Sequence, residues 1–323
     1  MKYVIAVMIA SVSLAAVAID RPEGYPAQSV RVIVPFPPGG ASDIVGRAIS
    51  QRLSTATGAH FIVENRPGAG AAIGVGLVVA APPDGLTLLL GAAGPLTMSP
   101  HLVRTSYDVE RDLAPIALVA SVPNVVVVHP SLAATTLTGL VALARSKPGA
   151  LAFGSAGQGT TAHLSIELLR TLAQVNIVHV PYKGTSAAIS DLLGGQIQGT
   201  IDNLTAILPQ VRNGRLRALA LTSNTRSRAA PGIPTAEEAG MKDLVVVGWN
   251  GFLAPARTPS AIIDWLGQEI TAAALSPEVT RQMIDLGGEP DARGPAAFRD
   301  YLHAELARWG QVVSNSHIQI ETP

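Results

Sequence analysis

From residue 30 onward, short runs of β-branched apolar residues alternate with stretches whose apolar positions recur every three or four residues. That alternation predicts an α/β fold with mostly parallel sheets. Val30–Pro35 (VRVIVP) is the first strand. Ile44, Val45, Ala48, Ile49 and Leu53 fall on one face of a helix over residues 42–57, and Gly58 ends it. Further strands are expected at Phe61–Glu64, at Thr87–Leu90 after the turn Pro83-Asp84-Gly85, and at Ala114–Ala120.

Val125–His129 (VVVVH) reads as a strand that leaves one lobe and enters another. The strand–helix alternation then restarts. Strands are expected at Leu151–Gly154, Ile177–Val180, Ile197–Ile201 and Ala218–Thr222. Between them lie a helix over 161–172, with Leu164, Leu168, Leu169 and Leu172 inward, and a helix over 186–193. Val245–Leu253 returns the chain to the first lobe, and residues 260–309 read as mostly helical and amphipathic. The expected organisation is an outer lobe (25–124 with 248–323) and an inserted lobe (125–247). Two α/β lobes joined by two strands form a hinge that can close over a ligand. The length of 323 residues suits two domains.

Residues 1–18 change the picture of where the chain works. Lys2 is a short positive start, Tyr3–Leu14 is almost wholly apolar, and Ala16-Val17-Ala18 fits the small-x-small cleavage rule. The apolar run is shorter than the roughly 20 residues a spanning helix needs, so a cleaved secretory signal is expected and the periplasm follows. Loss of Lys2 leaves 22 basic against 23 acidic residues, a formal charge of −1. Without a basic excess, nucleic acid is not an expected partner. There is no cysteine, hence no disulfide, no lipid-modified cysteine anchor and no thiolate. Aromatic residues are only 4%, which argues against a sugar stacked on rings.

Two glycine-rich loops carry the candidate chemistry. Pro35–Asp43 (PFPPGGASD) lies between a predicted strand and a predicted helix. Its glycines allow close backbone approach, and the helix start offers free N–H groups and a positive dipole end, which attract anions. A plain strand-to-helix turn with a serine N-cap fits the same stretch equally well. Gly154–Leu164 (GSAGQGTTAHL) is a similar element in the inserted lobe. Ligands of open α/β sheets bind off the carboxyl ends of strands, where both loops lie.

Other motifs fail on spacing. Gly68–Gly74 has Ile73 where a dinucleotide fingerprint needs its third glycine, so close helix packing is expected there. FGSAG around Ser155 lacks the first glycine of a nucleophile elbow. The seven histidines show no metal-ligand spacing. His163 alone lies near a candidate site, and a first-turn helix position accounts for it without catalysis. A secreted hydrolase using Ser155 and His163 is the rival reading. It would need an acid behind the histidine, and none is apparent. A ligand sensor for a membrane signalling partner is a third reading. Tyr182, Lys183, Asp202 and Asn203 follow predicted strands, where side chains can reach the cleft.

RVIVPFPPGGASD, ENRPGAGAAIG, PPDGLTLLLG, FGSAGQGTTAHL, VPYKG, Asp202-Asn203 and GWNGFLAP occur in that order over most of the chain. Together they resemble the Bug family, the periplasmic receptors of tripartite tricarboxylate transporters. The resemblance implies a bilobed periplasmic-binding-protein fold; no catalysis, no cofactor or metal, and a monomer are expected. It also implies a small carboxylate ligand and membrane permease subunits as partners. Carried over, it places Phe36, Gly39, Gly40, Ala41 and Ser42 at the ligand from one lobe. From the other it places Ser155, Gly157, Thr160 and Thr161 there. Tyr182, Asp202 and Asn203 line the cavity, His163 lies close by, and Asp43 organises its loop. Ala71 and Leu86 depart from the family's usual glycine and tyrosine, outside the clamp.

Overall fold

The computed structural model describes residues 19–316. The predicted signal segment at 1–18 lies outside them. The chain runs β1 (Val30–Val34), α1 (Ala41–Thr57), β2 (Phe61–Asn65), α2 (Ala72–Val79), β3 (Thr87–Ala92) and α3 (Val109–Asp112). It continues with β4 (Leu113–Val128), α4 (Leu137–Ser146), β5 (Leu151–Ser155), α5 (Thr161–Ala173), β6 (Ile177–Pro181), α6 (Thr185–Leu193) and β7 (Gly199–Asn203). Then come α7 (Leu204–Arg212), β8 (Arg217–Leu221), β9 (Val247–Pro255), α8 (Ser260–Ala274), α9 (Pro277–Asp285), β10 (Glu289–Arg293) and α10 (Pro295–Ser316). Among the described residues, no helix is long and apolar enough to cross a membrane.

Two sheets make two lobes. In the first, β1 pairs in parallel with β2 and β3, and β9 runs antiparallel between β3 and β4. In the second, β5 pairs in parallel with β6 and β7, and β4 runs antiparallel to β7 and β8. The strands expected at Ala114–Ala120 and Val125–His129 are therefore one element. Residues 113–123 of β4 pair with β9, and residues 124–128 pair with β7. Pro123 does not end the strand. In the pairing with β9, register shifts occur between Pro115 and Ala117 and between Leu118 and Ala120, the kind of irregularity that lets one strand bend from sheet to sheet.

Thr222 ties the two crossings together. Its hydroxyl lies 2.6 Å from the Val246 carbonyl oxygen and 3.1 Å from that of Asn124. Its backbone N–H donates to Asn124 and its carbonyl accepts from Val246. Arg308 of α10 donates to the Val245 carbonyl from outside.

Alternation sorts the first sheet's residues. Val30, Val32 and Val34 pack in one cluster with Ile49, Leu53 and Phe252, while Ile33 points into another with Val75, Leu89 and Trp249. Both faces are covered, as parallel strands require. The second cluster continues into the other lobe through Phe298, Trp309, Leu164 and Leu169. Leu172, expected inward on α5, is 37% exposed. The buried stripe of that helix runs through Leu164, Leu168 and Leu169, and Leu172 falls beyond its edge. Helices α2, α3, α4 and α7 and strand β10 are not among the elements expected from the sequence.

Candidate functional site

The loops after β1 and β5 share one construction. Helix α1 begins at Ala41 with Gly40 as N-cap, so Ser42 is inside the first turn and not the cap. Gly39 has φ +82°, a left-handed conformation that favours glycine. Its N–H donates to Asp43 Oδ2 at 2.9 Å. Helix α5 begins at Thr161 with Thr160 as N-cap. Gly159 has φ +75°, and its N–H donates to His163 Nδ1 at 3.2 Å. In each loop the third helical residue latches the N–H of the glycine just before the cap.

Asp43 is buried and saturated. Besides Gly39 it accepts from Arg47 Nε at 3.0 Å and from Asn65 Nδ2 at 2.9 Å. Asn65 Nδ2 also reaches the Phe36 carbonyl at 3.0 Å. Burial alone would raise the Asp43 carboxyl, but these hydrogen bonds outweigh it and hold it below the usual carboxylate range. The residue shapes the loop and has no oxygen to spare for a ligand. Beneath the loop, a Cβ on Gly74 would stand 2.7 Å from Pro35 Cβ and 2.8 Å from the Arg66 carbonyl oxygen. Close packing of α2 against the loop's base is thus the use of that glycine.

In the second loop, Ser155 is fully buried. Its Oγ lies 2.6 Å from Nε2 of His179 on β6 and 3.2 Å from both N and O of Gly157. Thr160 Oγ1 donates to the Gly157 carbonyl at 2.7 Å and accepts from His163 N at 3.3 Å. His163 stacks on His179 with ring centroids 4.3 Å apart. Burial, with a smaller push from Arg170, lowers the His163 pKa to about 4. Burial, then His163 and Arg170, lowers that of His179 to about 3. Both rings are neutral near neutrality. Since a backbone N–H can only donate, His163 Nδ1 is the acceptor and its proton sits on Nε2.

His179 was not singled out in the sequence. The only signal was its place two residues before the end of a strand neighbouring β5. The rival hydrolase pairing of Ser155 with His163 is not what the fold builds, because Ser155 meets His179. His163, Glu167 and His179 offer ligand atoms within 4.8 Å of one another. The rings lie within 23° of parallel, so their in-plane lone pairs do not converge on one ion at the roughly 2.0–2.1 Å that metal–nitrogen bonds need. Glu167 is paired with Arg170 at 2.7 Å.

The two helix starts approach one segment. Asn250 of β9 donates to Ser42 Oγ at 2.9 Å and faces the Gly91 carbonyl at 3.4 Å. Three residues on, at the start of the π-helical turn Gly94–Met98, a Cβ on Gly94 would lie 3.6 Å from the Gly159 carbonyl oxygen and 3.9 Å from Thr161 N. The end of β3 therefore bridges the start of α1 to the start of α5.

The remaining candidates lie at the carboxyl ends of β6 and β7. Tyr182 is half-buried, its hydroxyl donating to Asp191 at 2.7 Å. Lys183 is exposed. Asp202 is buried, its Oδ1 accepting from Asn203 N at 2.7 Å. Burial raises its pKa to about 6. Asn203 caps α7, and its Oδ1 lies 3.2 Å from where a Cβ on Gly248 would stand. Like His179, Asn250 and Gly94 were not singled out in the sequence.

A family model described as "Tripartite tricarboxylate transporter family receptor" matches residues 45–318. Protein BugT of Bordetella pertussis is 37% identical over 323 residues, covering 98% of each chain. The solved structure "R. palustris Rpa4515 with adipate" superposes with TM-score 0.85 at 35% identity, covering 91% of this chain and 99% of that one. MatC from Rhodopseudomonas palustris with bound malate superposes with TM-score 0.81 at 30% identity, covering 90% and 100%.

Proposed function

This chain belongs to the tripartite tricarboxylate transporter receptor family, and on that premise we propose that it captures a small carboxylate between its lobes and presents it to a membrane permease. The observation that carries the reading is the bridge at the end of β3, where the starts of α1 and α5 come to one place. Neither end of that bridge is a cation-bearing side chain. Recognition would come from N–H groups of Ala41, Ser42, Thr161 and their neighbours, and from hydroxyls. Two relatives carry adipate and malate in their solved structures, which suits a dicarboxylate here.

The mechanism is binding without chemistry. The outer lobe (25–124 with 248–323) and the inserted lobe (125–247) are the moving bodies, and the crossing at Thr222 is the hinge. A ligand that touches both loops favours the closed arrangement by its differential affinity for it. Residues 1–18 direct export, so the receptor works in the periplasm, as a monomer.

A thermal-shift panel of carboxylates, including adipate and malate, tests this, because a ligand that binds only the native state raises the melting temperature. Calorimetry should then show weaker binding by Ser155→Ala and Gly40→Val. A Cβ on Gly40 would meet only the Pro37 carbonyl at 3.7 Å, an ordinary contact, and circular dichroism checks that the variant folds. Unchanged affinity in both variants would overturn the site.

The 2.6 Å contact between Ser155 and His179 favours a second reading, a serine hydrolase. Against it, a histidine held near 3 is a weak base, and among the described residues no carboxylate hydrogen-bonds to its other ring nitrogen. Turnover of p-nitrophenyl acetate, abolished by Ser155→Ala, would revive it. Recovery of a membrane kinase instead of a permease with the crosslinked receptor would favour sensing over transport.

A further inference from the structure

We infer that Asn250 is a positioning residue that turns Ser42 into a dedicated hydrogen-bond donor for the ligand carboxylate. The inference rests on the carboxylate reading above and assigns a role within it to a residue of the return strand.

Asn250 is buried in β9, between Ala92 of β3 and Ala120 of β4. Its amide orientation is fixed by Gly91. The Gly91 carbonyl can only accept, so the Asn250 atom facing it at 3.4 Å is the amino nitrogen. Turning the amide over would set two acceptors against each other. The same nitrogen donates to Ser42 Oγ at 2.9 Å. A serine hydroxyl has one hydrogen and two lone pairs. With Asn250 on a lone pair, the hydrogen cannot point along that line and is left for another acceptor. Among the described residues the Ser42 hydroxyl donates to none.

The chemistry of the ligand fits this arrangement. An ionised carboxylate accepts and never donates. A freely rotating hydroxyl would spend part of its time presenting a lone pair to it, which repels. With one lone pair held by Asn250, that state is less populated. The second loop has a contrasting hydroxyl. Thr160 Oγ1 both donates and accepts within its own loop, so it brings no free hydrogen. Ser42 is also in the first turn of α1, where its own N–H lacks a helical partner. One residue can thus offer the carboxylate both an N–H and an O–H.

The test is a double-mutant cycle in ligand affinity, using purified protein and whichever of adipate and malate shifts the wild-type melting temperature more. Ser42→Ala and Asn250→Ala should each weaken binding about tenfold. The double variant should bind within about twofold of Ser42→Ala, because Asn250 acts only through that hydroxyl. Circular dichroism checks the fold. If Asn250→Ala does not fold, Asn250→Ser replaces it in the same cycle. It should then cost affinity only when Ser42 is present. Losses that multiply in the double variant would overturn the inference and leave the carboxylate reading standing. So would wild-type binding that Ser42→Ala leaves unchanged. Failure of the wild type to bind either acid would sink the carboxylate reading and the inference with it.

Discussion

Asp43 and His163 hold the same place in the two lobes. Each is the third residue of its helix, and each accepts the N–H of a left-handed glycine four residues earlier. One latch is a carboxylate with three further donors' worth of contacts from Arg47 and Asn65. The other is an imidazole that must stay neutral to accept. The same backbone geometry is thus held by two chemistries of different pH tolerance.

Removing the first latch strips partners from Gly39, Asn65 and Arg47 together. Asp43→Ala should lower unfolding free energy by about 2–3 kcal/mol, the scale for leaving buried donors unpaired. Urea denaturation measures it. Affinity for the ligand should fall as well, since the loop loses its shape. Asp43→Ala with wild-type stability would show that the loop is held by its prolines instead.

At the second latch, the acceptor matters more than the ring. His163→Asn keeps a short acceptor for the Gly159 N–H and should cost less than about 1 kcal/mol, whereas His163→Leu should cost about 1–3 kcal/mol. Equal costs for the two variants would mean that stacking on His179, and not the latch, is what His163 supplies.

The histidine pair should make stability depend on pH in a window set by its shifted values. In the unfolded chain both imidazoles protonate as pH falls through about 6.5. In the native state they resist until about 4 and about 3. The unfolded state therefore binds more protons between those limits, and stability rises with pH across the window and is lost as pH falls. Asp202 opposes this with one proton, because its native value near 6 lies above the unfolded one. Two protons against one leaves a net gain between pH 4.5 and 6.5. Denaturation midpoints in that range should climb with pH, and the climb should shrink in His163→Asn. A flat profile in the wild type would contradict the neutral buried pair.

Gly74 offers a test of the first loop's foundation. Gly74→Ala places a Cβ within 3 Å of Pro35 and of the Arg66 carbonyl, and both are backbone or ring atoms that cannot swing aside. A cost of about 1–3 kcal/mol is expected, together with weaker ligand binding through the displaced Pro35–Gly40 segment. Neighbouring Gly70 has open space around it but a φ of +62°, so its substitution should cost less and leave affinity unchanged.

Much of the fold was written locally. The runs VRVIV and LAFGS, and the leucines of α5, carry the strand and helix periods without help from distant residues. The two glycine-rich loops were legible for the same reason, since left-handed turns and helix starts are settled within a few residues. Local signals failed at β4, which reads as two strands because Pro123 and its neighbours look like a break. Only pairing with β9 on one side and β7 on the other keeps it one strand. They failed again at Ser155, whose partner is His179, 24 residues on, and at Ser42, whose partner is Asn250, 208 residues on. The sequence by itself determined that there are two glycine-rich strand–loop–helix elements. Which hydroxyls still have a hydrogen to give was decided by the tertiary structure. A hydroxyl's direction depends on what fills its lone pairs, and those donors come from strands far away in the chain.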